Sequence, residues 1–324
     1  MRQNNNTRDV GAIGSQNGHE KRKCNLPAFL ACIVMLLFIG SEYILSGNYI
    51  NSENPYATFV IAQVCVFLIP SAFFAVFSGT HALSKYKFKP FSPKMAGFVL
   101  CCLPMLILGN MLIKYLGYVY FGTSSGAAIN ASGREDFLYI LLSTVLVPAV
   151  CEELLFRGVI FTEYEKKLGA FGAILGSALL FAFIHFDIQN FLSYLYAGII
   201  LGIAVHTTRS VFAPVLLHLF NNFICIYSDT FLQKISKESI STVFVLFLFG
   251  VLMLISLFLF FESLEWICSF KAEMLTSHSA PAQGEVARLL PPKGKITGIC
   301  SRVLLAPAFL LAFIIYIVRI TTLS

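Results

Sequence analysis

The amino-acid sequence predicts an all-α, polytopic membrane helix bundle of about eight to nine transmembrane helices, each close to the length that crosses a hydrocarbon core. Composition is the first observation behind this. Of 324 residues, 57% are hydrophobic and 12% charged, with a mean hydropathy of +0.78, whereas soluble domains carry about 25% charged residues. Apolar runs of spanning length are the second observation, and they recur along the chain. The distribution of basic residues is the third, because it is uneven across the two sides that those runs define.

Taken in order, the spans fall near 26–46, 57–79, 95–115, 137–161, 170–186, 190–206, 211–227, 240–261 and 303–320. The runs 170–186 and 190–206 are short and separated by a few residues, so they read as a tight hairpin. The first run is long and lacks a small-residue cleavage site, which reads as a signal anchor rather than a removable signal peptide. Residues 1–25 are polar, rich in Asn, Gly and Arg, and read as a disordered cytoplasmic tail. Peripheral helices are expected over 26–136, a helical core over 137–228, and a further peripheral helix over 229–261. A cytoplasmic linker is expected over 262–302, where SHSAPAQGE and LPPKGK occur, followed by a C-terminal helix over 303–324.

With the N-terminus in the cytoplasm, 17 of the 23 Lys and Arg residues fall on inner segments. They include Arg2, Arg8, Lys21, Arg22, Lys23, Lys85, Lys87, Lys89, Lys94, Lys166, Lys167 and Arg209. The outer segments hold few, among them Arg134, Lys234 and Lys237. This is the positive-inside pattern, and basic loops facing anionic lipid account for the net charge of +6 without a nucleic-acid partner. The nine cysteines lie mostly inside the spans without CxxC or zinc-finger spacing, so they read as apolar packing residues.

The informative residues are polar ones inside the oily helices. The stretch CEELLFRGVI places Glu152, Glu153 and Arg157 within six residues of one another, and each buried charge costs roughly 2.5–3.5 kcal/mol on insertion scales. Glu153 and Arg157 are four apart on one helical face, so they can pair. Glu152 is rotated by about 100° from Glu153 and is left to face a cavity. Two more pairs have the same spacing: Phe181 with His185, and His218 with Asn222. Measured from the inner-face markers Lys166 and Arg209, Glu152, His185 and Asn222 lie about 20 Å into the membrane, with His218 about one turn lower. At matching depth they can converge.

One carboxylate, two imidazoles and a carboxamide make a plausible hydrolytic set. A glutamate in a low-dielectric pocket suits a general base, a histidine can share its water, and a second histidine with an asparagine can stabilise an oxyanion. Alternatively, Glu152, His185 and His218 could ligate Zn²⁺. HExxH, GxSxG and an intramembrane aspartate pair are absent. A proton-coupled transporter with a buried Glu/His relay is the alternative of another class.

The ordered motifs EExxxR (Glu152, Glu153, Arg157), FxxxH (Phe181, His185) and HxxxN (His218, Asn222) resemble the CPBP family of intramembrane proteases. That family includes prenyl-protein CAAX endopeptidases and bacteriocin-processing and immunity proteins. The similarity covers about 137–228, including FRG after the glutamates and the glycine-rich LYAGIILGIAV. The resemblance implies Glu152 as the general base with His185 assisting, and His218 with Asn222 as the oxyanion hole. It assigns Glu153 and Arg157 to supporting that set, and Phe181 to lining the cavity. The mechanism it favours needs no metal cofactor. The expected substrate is a membrane-associated protein or peptide. Short loops and the lack of targeting signals point to a bacterial plasma membrane, and therefore to peptide maturation, bacteriocin immunity or envelope regulation.

Overall fold

Lipid offers the backbone no hydrogen-bond partner, so an apolar run that enters it satisfies its own amides as a helix. In the computed structural model, which describes residues 9–46, 55–77, 87–122, 134–237, 242–277 and 296–323, all regular structure is helical and no strand occurs among the described residues. The chain is an all-α polytopic membrane bundle. Helix α1 is Asp9–Ser46, α2 covers 55–77, α3 covers 93–121, and α4 covers 134–168. A short α5 follows over 170–184, then α6 (Phe191–Thr208), α7 (Phe212–Lys237), α8 (Thr242–Ser277), α9 (Ile296–Leu304) and α10 (Pro307–Leu323).

Six of these helical stretches are long and apolar enough to cross a membrane, or up to eight if each bent pair counts as one. The stretch Phe137–Ile184 is 48 residues long, more than twice a single crossing. It is broken at Gly169, whose φ of 72° and ψ of −174° lie outside helical space. Glycine is the residue that adopts this conformation without steric cost, so α4 and α5 separate there.

Three boundaries differ from expectation. Helix α1 begins at Asp9, so residues 9–25 continue the first helix where a disordered tail was expected. Once the apolar span has nucleated a helix, each added residue gains a hydrogen bond. Helix α8 runs on to Ser277, into the expected linker; ESLEWICSFKAEMLTS contains no Pro or Gly to stop it. The rest of that linker, 278–295, lies outside the described residues. The last expected span is a pair, α9 and α10, bent by 58° ahead of Pro307.

Two apolar clusters flank the catalytic segment expected over 137–228. The first gathers residues of α1, α2, α4, α5, α9 and α10, including Met35, Phe67, Phe156, Phe183 and Phe309. The second joins α3, α6, α7 and α8 through Phe98, Leu106, Ile200, Leu217 and Phe260. Helices α5 and α6 approach closely where Gly198 faces Ala178: a Cβ built on Gly198 would stand 2.8 Å from the Ala178 Cα. Small residues are what allow such approach between membrane helices, where no hydrophobic effect drives them together.

Candidate active site

Helix α4 presents the charged residues, and it is not uniformly α-helical. It winds as a π-turn over Leu141–Leu146, as an α-helix over Val147–Glu153, and as a π-turn again over Leu154–Ile160. The two carboxylates therefore end a short α-helical segment set between two π-turns, a feature common at functional sites. Glu153 and Arg157 are fully buried, and Arg157 Nη1 donates to Glu153 Oε1 at 2.6 Å. Arg157 Nη2 donates to the Gly198 carbonyl at 3.3 Å, and its guanidinium lies 4.6 Å from the centre of the Phe181 ring. Three elements thus hold one cation: α4 by a carboxylate, α6 by a carbonyl, α5 by an aromatic face.

Glu153 has a second partner that the spacing did not disclose. Its Oε1 also receives His218 Nδ1 from α7 at 2.8 Å. An ionised carboxylate only accepts, so Nδ1 of His218 carries the proton. This bond aims Nε2 of the same ring at the neighbouring glutamate, 3.9 Å from Glu152 Oε2. The side chain of Glu152 is 8% exposed.

Phe181 stands between the two imidazoles, its ring centre 4.8 Å from that of His185 and 5.8 Å from that of His218, both edge-on. His185 ends α5, donates Nδ1–H to the Phe181 carbonyl at 2.7 Å, and stacks on Tyr194 of α6 at 3.8 Å. With Nδ1 donating, its Nε2 keeps a lone pair. Asn222, one turn beyond His218 on α7, donates Nδ2 to the Thr144 carbonyl of α4 at 3.5 Å. Glu152, Glu153, Arg157, Phe181, His185 and His218 are linked through these contacts, and Asn222 bridges from α7 to the same α4 wall.

His218 donates Nδ1–H to Glu153 and His185 donates Nδ1–H to a carbonyl, an arrangement that leaves each Nε2 facing away from its partner and is compatible with the zinc alternative as well as with a metal-free site. No group of three His, Cys, Asp or Glu side chains close enough to hold a metal ion occurs among the described residues.

Two contributors to the site went unread in the sequence. Tyr194 stacks on His185, and Gln63 of α2 has its carboxamide within hydrogen-bonding reach of Glu152. Gln63 is a polar residue inside an apolar span, the same signal that singled out the histidines. It has no motif partner at helical spacing, and its role appears only when α2 packs on α4.

Comparison with known proteins bears on this segment. Residues 134–224, which hold α4 to α7 up to Asn222, match the family described as Type II CAAX prenyl endopeptidase Rce1-like. That segment is therefore similar to the CPBP family of intramembrane proteases. Over 128 residues, 40% of this chain, the sequence is 27% identical to the "Putative membrane peptidase YdiL" of Bacillus subtilis (strain 168). The chain spans about half of that relative's length, with 52% covered. No solved structure matches the chain. The matched segment contains every residue placed above except Gln63, which comes from a helix outside it.

Proposed function

We propose that the chain is an intramembrane endopeptidase that hydrolyses a peptide bond of a membrane-associated protein or peptide. The observation that carries this is the pairing of a buried Glu152 with a His218 ring whose orientation Glu153 fixes, on helices α4 and α7 of the matched segment.

The chemistry follows from the donors. Glu152 takes a proton from water, and the oxygen attacks the scissile carbonyl as its C=O electrons move onto oxygen. His218 Nε2–H and the second Nδ2 hydrogen of Asn222 donate to that oxyanion. For Nε2 to donate while Nδ1–H is held by Glu153, the ring must be an imidazolium. Two carboxylates, one guanidinium and one imidazolium then sum to zero charge, the state that costs least inside a membrane. Collapse of the intermediate breaks the C–N bond, and the proton on Glu152 passes to the leaving amine. His185, with its Nε2 lone pair, shares the attacking water. Every group these proposed steps use is a side chain of this protein, so the steps as written call for no metal. The basic inner loops support a cytoplasmic N-terminus, and the plasma membrane is the location proposed for the protein.

Glu152→Gln keeps size and removes the base. Membranes carrying this variant, compared with wild type by sequencing of newly formed N-termini, are expected to lose one or more cleavage products while the variant inserts at the wild-type level. Unchanged products would refute the proposal.

A further inference from the structure

Helix α2 brings one more functional group to Glu152. Gln63 is 5% exposed, deep between helices, and its carboxamide reaches the Glu152 carboxylate. The carboxamide oxygen Oε1 is fully buried and has no hydrogen-bond partner. It follows that the amide N–H₂, not the oxygen, meets Glu152. Gln63 is also the last residue before the π-turn Val64–Leu68. A residue inserted into a helical ladder re-aims the side chains beside it, which is why such turns recur at functional sites.

An interhelical amide with an unpaired oxygen also occurs at Asn110, which bonds Asn221; what sets Gln63 apart is that its other end reaches the carboxylate of the site. Here one end holds the water-activating carboxylate and the other is a buried acceptor without a donor, which costs free energy in the resting protein. A peptide to be cleaved carries what the acceptor needs, because every residue but proline offers a backbone N–H. We propose that Gln63 is a positioning residue for Glu152 and the acceptor for a substrate backbone N–H next to the scissile bond. This rests on the peptidase reading above. It extends the site beyond the matched segment to α2, so substrate enters where α2 meets α4.

The test uses Gln63→Met, which keeps length and removes both polar ends, and Gln63→Glu, which keeps an acceptor and recovers a donor only when protonated. Both are compared with wild type and Glu152→Gln in the full-length protein in membranes. Products that Glu152→Gln abolishes are expected to fall roughly 100-fold in Gln63→Met, the scale of loss when a reacting group is misplaced by about an ångström. A quenched peptide spanning the strongest of those cleavage sites then separates the roles. Gln63→Met is expected to raise KM and lower kcat together. Gln63→Glu is expected to regain activity as pH falls, following protonation of the new carboxyl, while Gln63→Met stays low throughout. Wild-type cleavage by Gln63→Met, or a wild-type pH profile for Gln63→Glu, overturns the inference and leaves the peptidase reading standing. If Gln63→Met fails to insert, the Gln63→Glu profile decides alone. Persistence of the products in Glu152→Gln overturns both.

Discussion

Arg157 shows how a charge survives inside a membrane bundle. Its guanidinium is held by Glu153, the Gly198 carbonyl and the Phe181 ring, and its residual cost is visible in an Nε that has no partner. Replacing Arg157 by Ala leaves Glu153 buried with only His218 to balance it, and removing one member of a buried pair costs about 3–5 kcal/mol. Thermal unfolding in detergent is expected to show that loss, with cleavage failing as well because Glu153 no longer fixes His218. Unfolding at the wild-type temperature would show that the ion pair does not hold the core. The Glu153–Arg157 contact was legible because a four-residue spacing puts two side chains on one face whatever the tertiary structure. The Glu153–His218 bond was not, because it joins residues 65 apart in sequence. Spacing marked Glu153 as a strut and Glu152 as the reactive group, whereas in the structure Glu153 also aims the imidazole that faces Glu152.

Among the elements, the seam between α5 and α6 sets how the site closes. Gly198 meets the Ala178 backbone, and its carbonyl is the one Arg157 uses. Gly198→Val would place branched carbon where only 2.8 Å separates the Cβ position from the Ala178 Cα, and overpacking of this kind costs about 1–3 kcal/mol. The seam has to open, which draws Tyr194 away from His185 and the carbonyl away from Arg157. Gly250 of α8 is the control, since nothing lies within 4 Å of a Cβ there. Gly250→Ala is expected to unfold at or slightly above the wild-type temperature and Gly198→Val below it, with cleavage reduced only in the latter. Equal behaviour of the two variants would remove the seam from the account. The glycine-rich run LYAGIILGIAV was legible in the sequence as part of the family resemblance, but which glycine touches which helix depends on how α5 turns back at 185–190. The π-turns were equally hidden: a run such as LLFRGVI reads as ordinary helix, since apolar residues all round leave no periodicity to break.

At the scale of the whole molecule, the bundle is tied at the end of α4 by Glu165. Its Oε1 accepts from His206 Nδ1 at 2.6 Å and Arg209 Nη1 at 2.7 Å, and its Oε2 from Lys87 Nζ at 3.1 Å. Lys87 also lies 4.7 Å from the centre of the Phe161 ring, and its carbonyl accepts the Val211 amide at 3.3 Å. Lys87 and Arg209 both have left-handed backbones, with φ of 52° and 57°, a conformation that non-glycine residues hold only when their surroundings impose it. One carboxylate therefore joins α4, the C-terminal end of α6, the entry to α7 and the segment leading into α3. These basic residues were legible as an inner-face charge pattern, but their convergence on Glu165 was not, because they come from loops far apart in sequence. Glu165→Ala leaves the cations facing one another, and hydrogen bonds to a charged group contribute about 1.5–3 kcal/mol each. The variant is expected to unfold at lower temperature by a loss of about 2 kcal/mol or more, and to cleave more slowly because the ends of α4, α6 and α7 set the distances between Glu152, Glu153 and His218. Glu163→Ala is the comparison, since Glu163 pairs at 3.0 Å with a Lys166 that is 43% exposed, and such surface pairs contribute less than about 1 kcal/mol. Matching unfolding temperatures for the two variants would show that the ends of these helices are held by packing alone, and that the Glu165 cluster does not transmit order to the site.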